Sequence, residues 1–113
     1  MEAASARIEA LIQEDVGRGI GPLCAASQGG LARAAAAIAS ATRPRIGILT
    51  GFFVPAGTPP AAETDGPAGA ALLALGLTRA GIACRLLTDL LCRDACRAAL
   101  AGAGLASVPV DTG

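Results

Sequence analysis

The stretch Arg45-Ile46-Gly47-Ile48-Leu49-Thr50-Gly51 decides the predicted fold of this 113-residue chain. Its apolar run is short and bounded by turn signals, which is typical of a strand buried on both faces of a sheet. A second stretch of this kind runs from Ile82 to Thr88. In each stretch the apolar run ends at a threonine, Thr50 or Thr88, and a loop follows. The sequence therefore predicts at least two buried strands that belong to one parallel sheet.

Two helices are predicted upstream of the first strand. The first has polar residues such as Glu9 and Gln13 on one side and four apolar residues at helical spacing on the other: Ile8, Leu11, Ile12 and Val16. Glycines from Gly17 onward, followed by Pro22, predict its end. The second helix covers the alanine-rich stretch from Leu31 to Ala41, which has high helix propensity.

Further elements are predicted downstream of the first strand. A helix runs from Pro67 to about Ala80, with Leu72, Leu73 and Leu77 facing inward. Another runs from Leu90 to Ala101. A third strand is predicted from Ala106 to Val110, although Pro109 cannot donate to a strand ladder.

This alternation of strands and helices predicts an α/β fold. We expect a three-layer, mostly parallel, Rossmann-like sheet with flanking helices. Three strands make a thin sheet, and its edge at Val108 would be exposed. We therefore expect the fold to be incomplete, with more chain or a second subunit beside that edge.

Composition excludes several classes of protein. Nine basic residues balance nine acidic ones, and Phe52 and Phe53 are the only aromatic residues, so we expect no nucleic-acid partner. No apolar run approaches the roughly 20 residues that span a bilayer, so we expect no membrane partner and a cytoplasmic location. The four cysteines are then expected to be reduced thiols: Cys24, Cys84, Cys92 and Cys96.

The two strand ends indicate where a ligand binds. Open parallel sheets bind ligands in the crevice outside the carboxyl ends of their strands. Thr50 and Gly51 follow one strand, and Thr88 and Asp89 end the other. We expect these four residues to line one edge, although threonine also favours strand ends for local reasons.

The loop from Gly51 to Gly66 is unusually long at sixteen residues, against about two to six for such connections. It closes with Glu63, Thr64, Asp65 and Gly66, just before Pro67. Backbone N–H groups and the positive end of the dipole make a helix start attractive to an anion. The alternative is that Thr64 or Asp65 only caps the helix.

Three other sequence patterns do not indicate a catalytic, metal or nucleotide site. The chain has no histidine, which excludes nucleophilic pairs such as Cys–His. Cys92 and Cys96 share a helix face, but two thiols alone do not make a zinc site, and packing is the simpler interpretation. The glycines between Gly17 and Gly21 follow a helix rather than a strand, so they fail as a dinucleotide fingerprint.

The acidic block and its loop resemble the D-glutamate cyclase family. The resemblance rests on Thr50-Gly51-Phe52-Phe53-Val54-Pro55, on the run from Pro59 to Ala70 that contains Glu63-Thr64-Asp65-Gly66-Pro67, and on the strand end Leu87-Thr88-Asp89. The opening from Ile12 to Gly21 is similar to that of bacterial members. The resemblance implies that residues 1–113 are one α/β domain, the N-terminal portion of a longer cyclase domain.

The same resemblance implies a lyase that converts D-glutamate to 5-oxo-D-proline with loss of water. Glu63 or Asp65 would take the amine proton or hold a divalent metal. The amides around Thr64 and Gly66, helped by the Thr50 hydroxyl, would receive a substrate carboxylate. Two alternatives stay open: a non-catalytic module that binds small carboxylates, and an assembly fragment whose sheet edge pairs with another chain, including a homo-oligomer.

Overall fold

The computed structural model describes residues 2–113. The chain divides into two compact units, residues 1–42 and residues 43–113. The first unit is helical and the second holds a parallel sheet. The α/β class, with a parallel sheet and flanking helices, is confirmed, and it resides in the second unit.

The N-terminal unit contains three helices: α1 (Glu2–Ile12), α2 (Gly21–Ser27) and α3 (Gly30–Ser40). Within this unit α1 packs against α3. The buried carboxylate of Glu9 on α1 accepts hydrogen bonds from the backbone N–H groups of Gly29 (2.8 Å) and Leu31 (3.0 Å). The Leu31 and Gly29 amides hold the pKa of the Glu9 carboxyl below its ordinary value. Glu9 thus satisfies the free amides at the start of α3.

The predicted polarity of α1 is wrong. Glu9 is buried, whereas Ile8, Leu11 and Ile12 are exposed. Val16 lies beyond the end of the helix. The reason is electrostatic: free amides at a helix start attract a carboxylate, and apolar spacing within α1 carries no information about them.

The sequence pattern does not predict α2, because Gly21-Pro22 is also typical of a helix stop. In the structure Pro22 lies in the first turn of α2. Proline is tolerated there because the N–H groups of the first turn have no partner within the helix.

The C-terminal unit has seven elements: β1 (Arg45–Leu49), β2 (Phe53–Val54), β3 (Ala61–Ala62), α4 (Asp65–Arg79), β4 (Ala83–Thr88), α5 (Arg93–Gly102) and β5 (Val110–Thr112). The central strand β4 pairs in parallel with β1 on one side and with β5 on the other. Ile48 lies beside Leu86, and Leu86 beside Val110. Both predicted strands are present and pair in parallel. Burial on both faces was wrongly predicted for β1, because it is an edge strand and its Leu49 is exposed.

Both helices of this unit pack on one face of the sheet. Ile48 and Leu86 of the strands form a core with residues of α4, α5 and the loop after α5: Ala70, Ala71, Ala74, Leu77, Cys96, Leu100 and Leu105. The opposite face carries Gly47, Leu49 and Leu87, and Leu49 is 84% exposed. Within this unit the sheet and its helices form two layers, whereas the sequence predicted three.

The third strand begins later than predicted. It is Val110–Thr112 rather than residues 106–110, and Val108 lies in a turn closed by a hydrogen bond from its N–H to the carbonyl of Leu105 (2.9 Å). Pairing starts at Pro109, whose carbonyl accepts the N–H of Leu86 (2.9 Å). Proline can accept but not donate, so the strand proper follows it.

The predicted inner face of α4 is partly wrong. Leu77 is buried, but Leu72 and Leu73 are 67% and 54% exposed. The other inner positions are alanines and Pro67. Because alanine is small, the helix backbone lies close to the sheet, and Leu72 and Leu73 point away from it.

None of the four cysteines takes part in a disulfide in this structure. Cys92 and Cys96 are fully buried, in agreement with a packing role. Among the described helices none is long and apolar enough to cross a bilayer.

Candidate functional site

The carboxyl ends of β1 and β4 lie side by side. The backbone N–H of Thr50 donates to the carbonyl of Leu87 (3.0 Å), which extends the pairing beyond the last residue of β1. The structure therefore brings Thr50 and Gly51 next to Thr88 and Asp89. Parallel pairing alone accounts for this arrangement, because strands that run the same way end at the same edge.

Gly51 is the point of closest contact between the two strand ends. Its φ of +121° lies in a region that side-chain-bearing residues rarely adopt. A Cβ at this position would overlap the Thr88 hydroxyl and would lie 3.2 Å from both Asp89 Oδ2 and the Cβ of Cys92. Only glycine lets the chain leave β1 so close to these groups.

The long loop returns to this edge as a small hairpin. Phe53 on β2 pairs with Ala62 on β3. The backbone N–H of Glu63 donates to the carbonyl of Phe52 (2.7 Å), so the acidic block starts beside the residue after Gly51. The sequence reading identified the loop as unusual but not its hairpin, because two-residue strands are too short to show alternation.

The start of α4 faces the end of β1. A Cβ on Gly66 would lie 3.0 Å from the Thr50 hydroxyl oxygen, so this hydroxyl points at the first turn of the helix. We call Thr50, Gly51, Gly66, Thr88 and Asp89 the rim. The rim joins three separate segments of the chain at the carboxyl edge of the sheet.

The acidic block is exposed at the entrance to α4. Thr64 occupies the N-cap position but makes no capping hydrogen bond with its side chain. The capping interpretation is therefore wrong for Thr64. Glu63 and Asp65 are exposed, and in the described part of the chain neither carboxylate contacts Thr50 or Thr88 through a hydrogen bond. The structure thus places the helix start, but not these two carboxylates, against the rim.

Asp89 is held as a carboxylate. Its Oδ1 accepts the backbone N–H of Cys92 (2.8 Å), which caps the turn before α5. This backbone bond, followed by the neighbouring thiol of Cys92, holds the pKa of the Asp89 carboxyl below its ordinary value. Burial, and then the adjacent carboxylate, raise the pKa of the Cys92 thiol. At neutral pH the rim therefore carries one fixed negative charge, and the thiol beneath it is protonated.

The hydroxyl of Thr88 lacks a hydrogen-bond partner. Thr88 is only 7% exposed, and its Oγ1 is the buried side-chain oxygen without a partner among residues 2–113. An unpaired buried hydroxyl costs about 1–3 kcal/mol. Such a cost is commonly retained where a polar group serves a site.

Comparison with known families identifies the family of this chain. A family model described as D-glutamate cyclase-like, C-terminal, matches residues 8–112. The chain belongs to the D-glutamate cyclase-like family. Comparisons of this cyclase-like chain with curated proteins and with solved structures found no significant match. Its place as the N-terminal portion of a longer cyclase domain stays a prediction.

Glu63 and Asp65 do not fit a divalent metal by themselves. In the described residues of the cyclase-like chain, no three His, Cys, Asp or Glu side chains converge as metal ligands. A divalent cation such as Mg²⁺ or Ca²⁺ is held by several oxygen ligands, about six or more in total. We therefore assign no step of a reaction to a metal.

A cavity of about 590 Å³ lies at the opposite end of the strands. Its lining includes Arg45, Ile46, Ala83 and Val108, at the amino ends of β1 and β4 and before β5. Ligands of open parallel sheets bind at the carboxyl ends instead. The acidic block of the cyclase-like chain also lies at the carboxyl end, so we place the candidate site there.

Cys92 is the rim neighbour that the sequence analysis missed. Its amide fixes Asp89, and its Cβ packs beneath Gly51. The spacing Asp89-x-x-Cys92 is the signal, because an aspartate in a turn often accepts the backbone N–H of a residue two or three positions later.

Proposed function

We propose that the chain forms the substrate rim of a lyase that converts D-glutamate to 5-oxo-D-proline with loss of water. Membership of the D-glutamate cyclase-like family supports this reaction class. The observation that carries the proposal is the position of the Thr50 hydroxyl against Gly66, at the uncapped start of α4. A hydroxyl and free helix amides at one point form a binding place for a carboxylate.

The reaction needs proton movement without net proton uptake. The α-nitrogen forms a bond to the side-chain carboxyl carbon, and one carbon–oxygen bond of that carboxyl breaks. The ammonium group loses two protons, and the departing oxygen leaves with two as water. Two protons therefore move from nitrogen to oxygen, and one group that accepts a proton from nitrogen and returns it to oxygen suffices when it acts twice.

The roles follow from charge. The amides around Thr64 and Gly66, with the Thr50 hydroxyl, bind one substrate carboxylate. Asp89, fixed as a carboxylate, attracts the α-ammonium group. Asp65 or Glu63 takes the proton from the amine and returns it to the leaving oxygen. Holding the amine against the carboxyl carbon lowers the barrier by about 7–11 kcal/mol in the best intramolecular cases.

The test is turnover of D-glutamate followed by proton NMR. We expect 5-oxoproline signals with the native protein and a loss of about 10²–10⁴-fold in rate with Asp65→Asn or Glu63→Gln, whichever is the proton carrier. Asp94→Asn is the matched control, because Asp94 is a highly exposed aspartate in the first turn of α5. Native turnover in both Asp65→Asn and Glu63→Gln would contradict the assigned chemistry.

A carboxylate-binding module without catalysis is the second candidate. The exposure of Glu63 and Asp65 favours it, because an acid–base catalyst works better in a site that excludes water. Saturable binding of D-glutamate without any 5-oxoproline would support this candidate and contradict the lyase.

A further inference from the structure

Helix α4 is apolar on two opposite sides. Its inner side packs on the sheet, as described above. Its outer side carries Gly69, Leu72, Leu73 and Gly76 at positions i, i+3, i+4 and i+7, and all four are exposed. We call these four residues the outer face of α4. A helix at the surface normally carries polar residues on this side, so the outer face is typical of a contact surface.

The two glycines of the outer face are not explained within the chain. Glycine is a poor helix former. A Cβ at Gly69 or Gly76 would meet nothing within 4 Å, so no neighbouring group in the chain requires glycine there. Glycine does allow a second backbone to approach closely, and the distance between packed helices depends on the side chains at their contact.

Charges at the two ends of this face indicate the partner. Asp65 begins α4 and Arg79 ends it, and the residues between them are uncharged. Asp65, Gly69, Leu72, Gly76 and Arg79 follow one another at spacings of 4, 3, 4 and 3, which places them on one side of a helix. A second copy of α4 that runs antiparallel presents Arg79 to Asp65 and Asp65 to Arg79. A parallel copy would oppose like charges.

We propose that the outer face of α4 is the contact surface of a twofold symmetric homodimer with antiparallel α4 helices. A twofold axis near Leu72 and Leu73 packs these leucines against their copies and sets Gly69 opposite Gly76. The same axis brings Asp65 near Arg79 of the second copy at both ends. The surface is self-complementary in shape and in charge.

The dimer is expected to depend on concentration. A helix of fifteen residues is roughly 22 Å long, so one helix pair is smaller than a standard interface of about 1,200–2,000 Å². Sedimentation should therefore show a mass that rises from one chain toward two as protein concentration increases.

Two variants separate this contact from others. Leu72→Asn should raise the dissociation constant about tenfold or more, because it places an amide at the centre of the contact. Leu91→Asn is the control, because Leu91 is similarly exposed at 64% but lies in the turn before α5. It should leave the dissociation constant unchanged.

Charge exchange tests the orientation. Asp65→Arg alone and Arg79→Glu alone should each be monomeric, because each opposes like charges across the axis. An equal mixture of the two variants should dimerise, since each end then pairs an arginine with an acid. Association of the mixture also shows that both variants are folded. A native chain that stays monomeric at every concentration, or a dimer indifferent to Leu72→Asn, would overturn the proposal.

Discussion

Gly51 determines the geometry of the candidate site at the scale of single residues. It combines a left-handed φ with contact to Thr88, Asp89 and Cys92. The residue types at the two strand ends were predictable, because a threonine follows each apolar run and is followed in turn by Gly51 or Asp89. The contact with Cys92 was not, since it depends on how closely two strand ends approach in space.

Gly51→Ala is expected to destabilise the protein by about 2–4 kcal/mol, because backbone strain and overlap with Thr88 add together. Urea unfolding of both proteins measures this difference. Gly81→Ala is the control for strain alone: its φ of +74° is also left-handed, but a Cβ there meets nothing within 4 Å. Equal losses in the two variants would contradict close contact at Gly51.

Asp89 is expected to give a pH-dependent contribution to stability. Its pKa in the folded protein lies below the ordinary value of 3.8, so its stabilising effect is present above that value and is lost as pH falls through the folded-state pKa. The difference in unfolding free energy between native protein and Asp89→Asn should therefore be largest near neutral pH and shrink below pH 3.8. A difference that stays constant across this range would contradict a lowered pKa.

At the scale of elements, α4 shows where sequence patterns stop being informative. Its existence and length follow from composition and from the Pro67 and Gly81 boundaries. Its inner face does not, because alanines and leucines both favour burial and only packing distance decides between them. The small residues Ala70, Ala71 and Ala74 let α4 lie close to the sheet, which leaves Leu72 and Leu73 outside.

Truncation of two leucines tests this orientation of α4. Leu77→Ala should cost about 2–4 kcal/mol of unfolding free energy, because it opens a cavity in the core. Leu72→Ala should change it by less than about 0.5 kcal/mol in dilute, monomeric protein. Chemical unfolding at low protein concentration measures both. Comparable losses would mean that Leu72 faces inward, as the apolar spacing alone predicts.

For the whole molecule, the parallel sheet and its carboxyl edge were predictable, whereas the division into two units was not. The two strands were recognisable from their short apolar runs, and parallel pairing then places their carboxyl ends together. The helix predicted from Leu31 to Ala41 is confirmed as α3. The faces of α1 were misjudged, because Glu9 satisfies backbone amides of α3 across a gap of some twenty residues. The spacing of apolar residues along a helix gives no information about such a hydrogen bond.

The position of the candidate site at the carboxyl edge follows from the sequence, whereas the chemical roles of its residues do not. Thr50, Gly51, Thr88 and Asp89 meet as expected, and Gly66 joins them. Glu63 and Asp65 stay exposed, so their roles rest on the proposed reaction.

The most direct measurement is amide chemical-shift mapping of the protein titrated with D-glutamate. We expect saturable shifts at Gly51 and Gly66, with little change at Ile46 and Ala83, which line the cavity at the opposite end of the strands. Shifts confined to Ile46 and Ala83, or no saturable shift at Gly51 and Gly66, would contradict a binding site at the carboxyl edge of the sheet.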